Sequence, residues 1–183
     1  MVKRNTVLVH SCCAHCAAYT ISYWRQQGYE VSALWYNPNI HPYMEHQHRL
    51  EAMKSLAQEM SLPLIITEGY DIIDYFRQVV GHESQRCQYC FRLRLSITAE
   101  TALQRGFNAF TTTLLISPHQ KHDLLQKIGN ELAEEKGVDF LYADLRKRYS
   151  ESRRMTKGQN LYRQQYCGCV YSEWERYAHI KIE

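Results

Sequence analysis

Five short apolar runs, each separated from the next by a helix-like stretch, constrain this chain more than any other feature. Asn5–His10, Glu30–Tyr36, Leu62–Glu68, Asn108–Ile116 and Val138–Leu145 read as strands. Between them, Ala14–Gln27, Tyr43–Met60, Asp71–Val80, a segment from Cys87 to about Arg105, and Lys121–Lys136 read as helices. On the second helix Leu50, Met53, Leu56, Ala57 and Met60 share one face, which is therefore core. Gly28, Gly106 and Gly137 stop three of these helices, and Asp71 stands where a cap belongs. Asn37–Pro42 and Ser117–Pro118 hold prolines that interrupt a ladder. Strand and helix in alternation give an α/β fold. It has a mainly parallel five-stranded sheet, right-handed crossovers and helices on both faces, a Rossmann-like arrangement.

Such a sheet binds its ligands beyond the carboxyl ends of the strands, and the unusual residues of this chain fall there. The first strand runs straight into His10-Ser-Cys-Cys-Ala-His-Cys16, three thiols in five positions. Tyr36 and Asn37 follow the second strand, Thr113–Ser117 the fourth, and a basic segment the fifth. No G-x-G-x-x-G or Walker A loop follows any strand, so a dinucleotide or nucleotide held by a glycine cradle is not expected. Thiols stand where that cradle would be. Thiolates, not thiols, bind metals and act as nucleophiles, and a helix N-terminus after the first strand is expected to favour the thiolate.

The chain has seven cysteines, an odd number. Its apolar start beside Lys3 and Arg4 is too short for a signal peptide, so a cytoplasmic protein is expected. No run approaches the roughly 20 residues of a membrane span. Disulfide scaffolding is then a poor account of the cysteines, and metal or redox use a better one. Cys13 and Cys16, and again Cys87 and Cys90, are three apart, which puts both sulfurs of a pair on one side of a helical turn. Cys167 and Cys169 bracket a glycine, suiting a tight bend around a metal or a disulfide. Zinc on two C-x-x-C pairs takes four ligands and leaves three thiols over. An iron–sulfur cluster also takes four and tolerates ligands at a helix start. A lone thioredoxin-like pair leaves most of the thiols unexplained.

The net charge of +3 decides little, but its distribution is informative. Between Arg146 and Arg163 there are seven basic residues against one acid, Glu151. The segment Arg146–Tyr166 shows little periodicity and reads as a long loop, ahead of Cys167-Gly-Cys169 and a final helix to about His179. Tyr149, Tyr162 and Tyr166 stand among its arginines, a mixture that suits single-stranded or looped RNA as well as a solvated loop. Plainer readings hold elsewhere. His10 reads as a satisfied, partly buried histidine, His41, His46 and His48 as surface residues, and Trp174 and Tyr177 as packing the last helix onto the body. Residues 1–183 read as a single domain, with 146–183 completing the site.

Five blocks, in order, resemble the QueH family of epoxyqueuosine reductases: His10-Ser-Cys-Cys-Ala, Tyr36–Pro42, Arg86-Cys-x-x-Cys90 with Arg92-Leu and Thr98-Ala, Phe110–Pro118, and Tyr162-Arg-Gln-x-Tyr-Cys-Gly-Cys169. The resemblance implies a sheet of the adenine-nucleotide-hydrolase (HUP) type. It also implies the last step of queuosine synthesis, reduction of epoxyqueuosine at the wobble position of tRNA, without cobalamin. It places a [4Fe-4S] cluster on Cys12, Cys13, Cys87 and Cys90. Cys167 and Cys169 are left as catalytic thiols, ligands of an adjacent mononuclear iron or a redox-active pair, and Cys16 is free to join either centre. Tyr36, Asn37, Thr112, Ser117, Gln164 and Tyr166 border the thiols as candidate substrate contacts. Arg92, Arg153, Arg154 and Arg163 are candidate phosphate contacts. Electrons are expected from an external ferredoxin-like donor. The rival readings are an ATP-dependent tRNA-thiolating enzyme with a cluster, against which the missing glycine loop counts, and a zinc-stabilised RNA-binding module.

Overall fold

The computed structural model describes residues 5–182, and Lys3 and Arg4 lie outside the described residues. The strands are β1 (Thr6–His10), β2 (Glu30–Trp35), β3 (Leu64–Ile66), β4 (Ala109–Thr112) and β5 (Asp139–Phe140). They form one sheet in the order β3-β2-β1-β4-β5, every pairing parallel. The helices are α1 (Ala14–Gln26), α2 (Tyr43–Glu59), α3 (Ile72–Val79), α4 (Arg86–Gln104), α5 (His122–Lys136), α6 (Tyr149–Met155) and α7 (Val170–Ala178).

Successive side chains of a strand point to opposite faces, and a parallel sheet covered on both sides needs both sets apolar. Val7, Val9, Val31, Ala33 and Trp35 meet Ala17, Ile21 and Trp24 of α1 and Met53 and Leu56 of α2 on one face. Leu8, Leu34 and Phe110 meet Phe91, Leu95 and Ala99 of α4 and Leu125, Ile128 and Leu132 of α5 on the other. On α5 a Cβ at Gly129 would fall 2.3 Å from the Phe140 ring, so the helix crosses that edge strand only because the position is glycine.

Several elements end earlier than their hydrophobic runs. β4 stops at Thr112, whose Oγ1 accepts from the Leu114 N–H at 3.1 Å and starts the 3-10 turn Thr113–Ile116. β5 is an edge strand and pairs only over Asp139–Phe140. β3 is confined to Leu64–Ile66. The segment expected as a loop, Arg146–Tyr166, instead opens with a 3-10 turn at Arg146–Arg148 and then α6. The face that α6 presents to α1 is polar: Ser152 Oγ accepts from the Tyr19 N–H at 3.0 Å, and Thr156 Oγ1 lies 2.5 Å from His15 Nδ1. A helix docked through hydroxyls carries no apolar period to be read.

Asp71 stands at the start of α3, but its side chain accepts no helix N–H; it turns to the Tyr36 hydroxyl. Trp174 and Tyr177 also depart from expectation, being 55% and 58% exposed. What ties α7 down is the Arg86–Glu175 ion pair at 2.5 Å, together with Cys169, which is buried with Tyr75, Val79 and Cys90.

Leu8 is fully buried at the centre of the α4/α5 face. Leu8→Ala is expected to cost about 2–5 kcal/mol, read as a lower urea midpoint at unchanged slope. A midpoint equal to that of the parent would show that this face is not packed as described.

Candidate active site at the carboxyl edge of the sheet

The site begins with a strand-end bracket. His10 is fully buried and opposite Thr112 in the β1–β4 register. Its Nδ1 lies 2.9 Å from Thr112 Oγ1, and its Nε2 lies 3.2 Å from the Tyr36 carbonyl and from Asn37 Oδ1. Two oxygens that only accept fix the proton on Nε2, leaving Nδ1 to accept from the threonine hydroxyl. Burial, and then the nearby Arg94 charge, hold the His10 pKa down at about 3, so it stays neutral. Asn37 Nδ2 donates to the Ser11 carbonyl at 2.9 Å, and the ends of β1, β2 and β4 are thereby locked together. His10 is satisfied as expected, but it is fully and not partly buried.

The next residues are the thiols. Cys12 Sγ lies 3.5 Å from Thr113 Oγ1. Cys13 caps α1, its sulfur accepting the Cys16 N–H at 3.3 Å and the Gln164 side-chain amide at 2.8 Å. Cys169 caps α7 in the same way, accepting from the Ser172 N–H at 3.4 Å. Cys87 and Cys90 sit in the first turn of α4, and Cys167 is exposed and accepts from Gln120 Nε2 at 3.3 Å. All seven are free. They form two electrostatic groups, Cys12/Cys13/Cys16 and Cys87/Cys90/Cys167/Cys169, joined through Cys12 and Cys167. Among the described residues no three metal-ligating side chains already bracket one point. The donors are gathered at one edge without being closed on an ion.

The expectation that the α1 N-terminus favours thiolates is reversed. Cys12 is pushed up by its hydrogen bond with Cys13 and by burial. Cys13 is drawn down by Cys12, but its hydrogen bond to Cys16 and burial outweigh this and raise it. Burial lifts Cys90 to about 12 and also raises Cys87. A fixed half-charge at a helix end is smaller than the cost of ionising a sulfur that water does not reach.

A cavity of about 520 Å³ opens over Cys12, Cys13, Cys16 and Cys167 and brings together Ser117, Arg153, Arg163, Gln164 and Tyr166 of the sequence-derived candidates. The others stand elsewhere. Tyr36 and Asn37 line a separate cleft of about 310 Å³ beside β3, with Trp35, Tyr43 and Tyr70. Thr112 is fully buried beneath the site in its bond with His10. Arg154 is exposed outside the cavity lining. Arg92 lies across Glu131 and Glu135 of α5, already paired with two carboxylates.

The structure adds residues that the sequence reading passed over. Arg49 is buried, paired with Glu45 at 2.7 Å, and donates to the carbonyls of Cys167 at 2.9 Å and Tyr166 at 3.0 Å. It holds the Cys-Gly-Cys bend in place from α2. Glu45 in turn accepts from the Tyr162 hydroxyl. His41 and His46 are buried, not surface residues: the His41 N–H donates to the Gly168 carbonyl at 2.8 Å, and Trp35 Nε1 donates to His46 at 3.0 Å. His48 is exposed as expected. Gly168 has φ +150° and a Cβ there would meet Asn39 and Ile40 at 3.2 Å, so the bend needs glycine. Three fully enclosed donors near the sulfurs, Arg86 Nε, Arg94 Nη2 and Tyr75 OH, have no partner. One sequence signal was available: Glu45 and Arg49 prolong the stripe of Met53, Leu56 and Met60, and charges on a core stripe are paired or functional.

Fold and site together define a class, a Rossmann-like α/β protein with its free thiols gathered at the carboxyl edge of a parallel sheet. Comparison with known proteins places it within that class. The family model "Epoxyqueuosine reductase QueH" matches residues 7–175. The epoxyqueuosine reductase QueH of Dehalococcoides mccartyi is 55% identical over 172 residues, 94% of each chain. That of Thermotoga maritima is 36% identical, covering 94% of this chain and 92% of its own. The chain belongs to the epoxyqueuosine reductase QueH family, oxidoreductases of queuosine biosynthesis. Among solved structures, the U34-tRNA thiolase NcsA from Methanococcus maripaludis with its [4Fe-4S] cluster aligns with a TM-score of 0.61 at 13% identity, over 96% of this chain and 68% of its own. A predicted tRNA methyltransferase subunit from Methanocaldococcus jannaschii aligns with a TM-score of 0.54 at 13% identity, over 81% of this chain and 74% of its own. Both show a shared fold. Among the described residues no helix is long and apolar enough to cross a membrane.

Two consequences are measurable. His10, His41 and His46 are held below the ordinary 6.5, to about 3, 4 and 4, by burial. Their lowered folded values give stability that is full above pH 6.5 and lost as pH falls toward 4 and then 3. The raised thiols act in the opposite direction. In the metal-free protein their contribution is full below the ordinary value of 9.0 and declines as pH rises beyond it. Urea midpoints across pH should show both flanks, and a Cys12→Ala/Cys90→Ala protein should lose part of the alkaline one. A profile flat from pH 4 to 7 would contradict the buried histidines. Arg49→Gln should leave Glu45 uncompensated and cost about 3–5 kcal/mol. It should also speed alkylation of Cys167 in the metal-free protein, and an unchanged alkylation rate would show that Arg49 does not hold this bend.

Proposed function

We propose that this chain reduces the epoxide of epoxyqueuosine in tRNA to the alkene of queuosine, using a [4Fe-4S] cluster held by its own thiols. The observation that carries the reading is the gathering of thiols from three distant segments: Cys12, Cys13, Cys16 and Cys167 line a cavity with Arg153, Arg163, Gln164 and Tyr166, Cys87 packs against the apolar core that holds Cys12, Cys13 and Cys16, and Cys90 is buried with Cys169. The donor set fits such a group in kind and number. Sulfur in quantity, buried basic side chains and three partnerless donors suit a dense anionic occupant.

Cys12, Cys13, Cys87 and Cys90 are the ligands of the cluster in this reading. Cys167 and Cys169 are an adjacent iron site or a redox-active pair, and Cys16 serves either. The overall change is an epoxide plus two electrons and two protons giving an alkene and water, and the cluster would supply those electrons one at a time from an external ferredoxin-like donor. The chain's own residues do the rest. Arg153 and Arg163 attract and position the tRNA backbone, Tyr166 offers a ring to the nucleoside, and Gln164 and Gln120 orient Cys13 and Cys167 through their amides. Ser117, at the cavity wall, supplies a hydroxyl to the modified base.

The test is anaerobic reconstitution followed by incubation with tRNA bearing epoxyqueuosine and mass analysis of the nucleosides. Conversion to queuosine without ATP is expected. Cys12→Ser and Cys90→Ser should lose both the cluster absorbance and turnover, whereas Cys167→Ser should keep the absorbance and lose turnover. Arg153→Ala and Arg163→Ala should weaken tRNA binding and each lower its log–log salt slope by about one. Colourless protein with stoichiometric zinc and no conversion would overturn the reading.

A further inference from the structure

Among the described residues three arginines are buried, and two of them have carboxylates. Arg49 pairs with Glu45 and Arg86 with Glu175. Arg94, on α4, is only 1% exposed, and among the described residues it has no carboxylate partner. Its Nε donates to the Cys90 carbonyl one turn back at 3.3 Å, its guanidinium lies 5.9 Å from the Phe91 ring centroid, and Nη2 has no partner. A buried cation with no counter-ion is costly, so a compensating negative charge is required beside it. The groups next to it able to carry one are Cys90, Cys12, Cys167 and Tyr75. From α3, Tyr75 enters the same space. It is 1% exposed and packed with Cys169 and Cys90, and its buried hydroxyl has no partner at full hydrogen-bond geometry.

Resting on the reading of these thiols as holding a cluster, we infer that Arg94 and Tyr75 are positioning residues that donate to the sulfurs of that cluster and raise its one-electron potential. The two donors come from different helices and converge where the two thiol groups meet. A cluster on four thiolates is negative in both redox states, and each added electron makes it more so. A fixed cation and an O–H donor therefore stabilise the reduced state more than the oxidised one. Both side chains also lie outside the cavity lining, so they act on the electron supply and not on the tRNA.

The test is an EPR-monitored titration of the anaerobically reconstituted full chain with dithionite and mediator dyes, alongside iron content and thermal midpoint. Tyr75→Phe, which keeps the ring, and Arg94→Gln are each expected to lower the one-electron reduction equilibrium at least tenfold, about 59 mV. Arg94→Lys should recover most of the loss, which a purely packing role would not produce. If Arg94→Gln fails to fold, Tyr75→Phe and Arg94→Lys decide. Full iron content with an unchanged potential in Tyr75→Phe and in the arginine variants would overturn the inference alone. Wild-type protein that takes up zinc and no iron–sulfur cluster would overturn the underlying reading and this inference with it.

Discussion

The pairing of β1 with β4 in parallel is the constraint on which the site depends. Parallel strands deliver their ends to one edge, and these two neighbours lie far apart in sequence, with Val7 opposite Ala109 and His10 opposite Thr112. The residues that follow, Cys12 and Cys13 on one side and Thr113–Ser117 on the other, are brought side by side by register alone. The His10–Thr112 bond then fixes this register, because a neutral imidazole between a hydroxyl and two oxygens tolerates no slippage. Shifting a strand by one residue would also turn Leu8 and Val9 to the wrong faces of the sheet. Packing and site geometry are thus set by the same register.

Around that edge the chain assembles a low-polarity nest for sulfur. α4 brings Cys87 and Cys90 up from one face, and the bend at Gly168 brings Cys167 and Cys169 from the other end of the sequence. The burial of Cys12, Cys13 and Cys90 opposes their ionisation, so something more strongly positive than a helix end is needed to displace their protons. Metal capture at such a place is coupled to proton release, so the same desolvation that opposes a free thiolate favours a compact, charge-dense occupant.

How much of this was legible in the sequence follows from which interactions leave a periodic trace. The alternating strands and helices, the helix stops and the gathering of thiols at strand ends could all be read, because apolar burial repeats with a fixed period and glycines mark its limits. α6 could not, since it docks on α1 through Ser152 and Thr156 and leaves no apolar stripe. Trp174 and Tyr177 misled for the opposite reason: aromatic residues on a helix suggest a buried face, yet α7 is anchored by Glu175 and Cys169. Arg92 was singled out as a phosphate contact while Arg94, two positions on, was not. Two residues along α4 separate a guanidinium paired with α5 carboxylates at the surface from one that is buried. Spacing alone does not tell these faces apart until the partner helices are placed.

The hold of Arg49 on the far end of the chain acts through peptide carbonyls, those of Tyr166 and Cys167. Every residue carries that group. The anchor therefore dictates the path of the backbone across the cavity and is indifferent to the side chains strung along it, apart from the glycine that lets the bend close. Path and chemistry are thereby separated: the lining between Arg163 and Tyr166 is free to be tuned to whatever enters the cavity without loosening the sulfur that stands next to it.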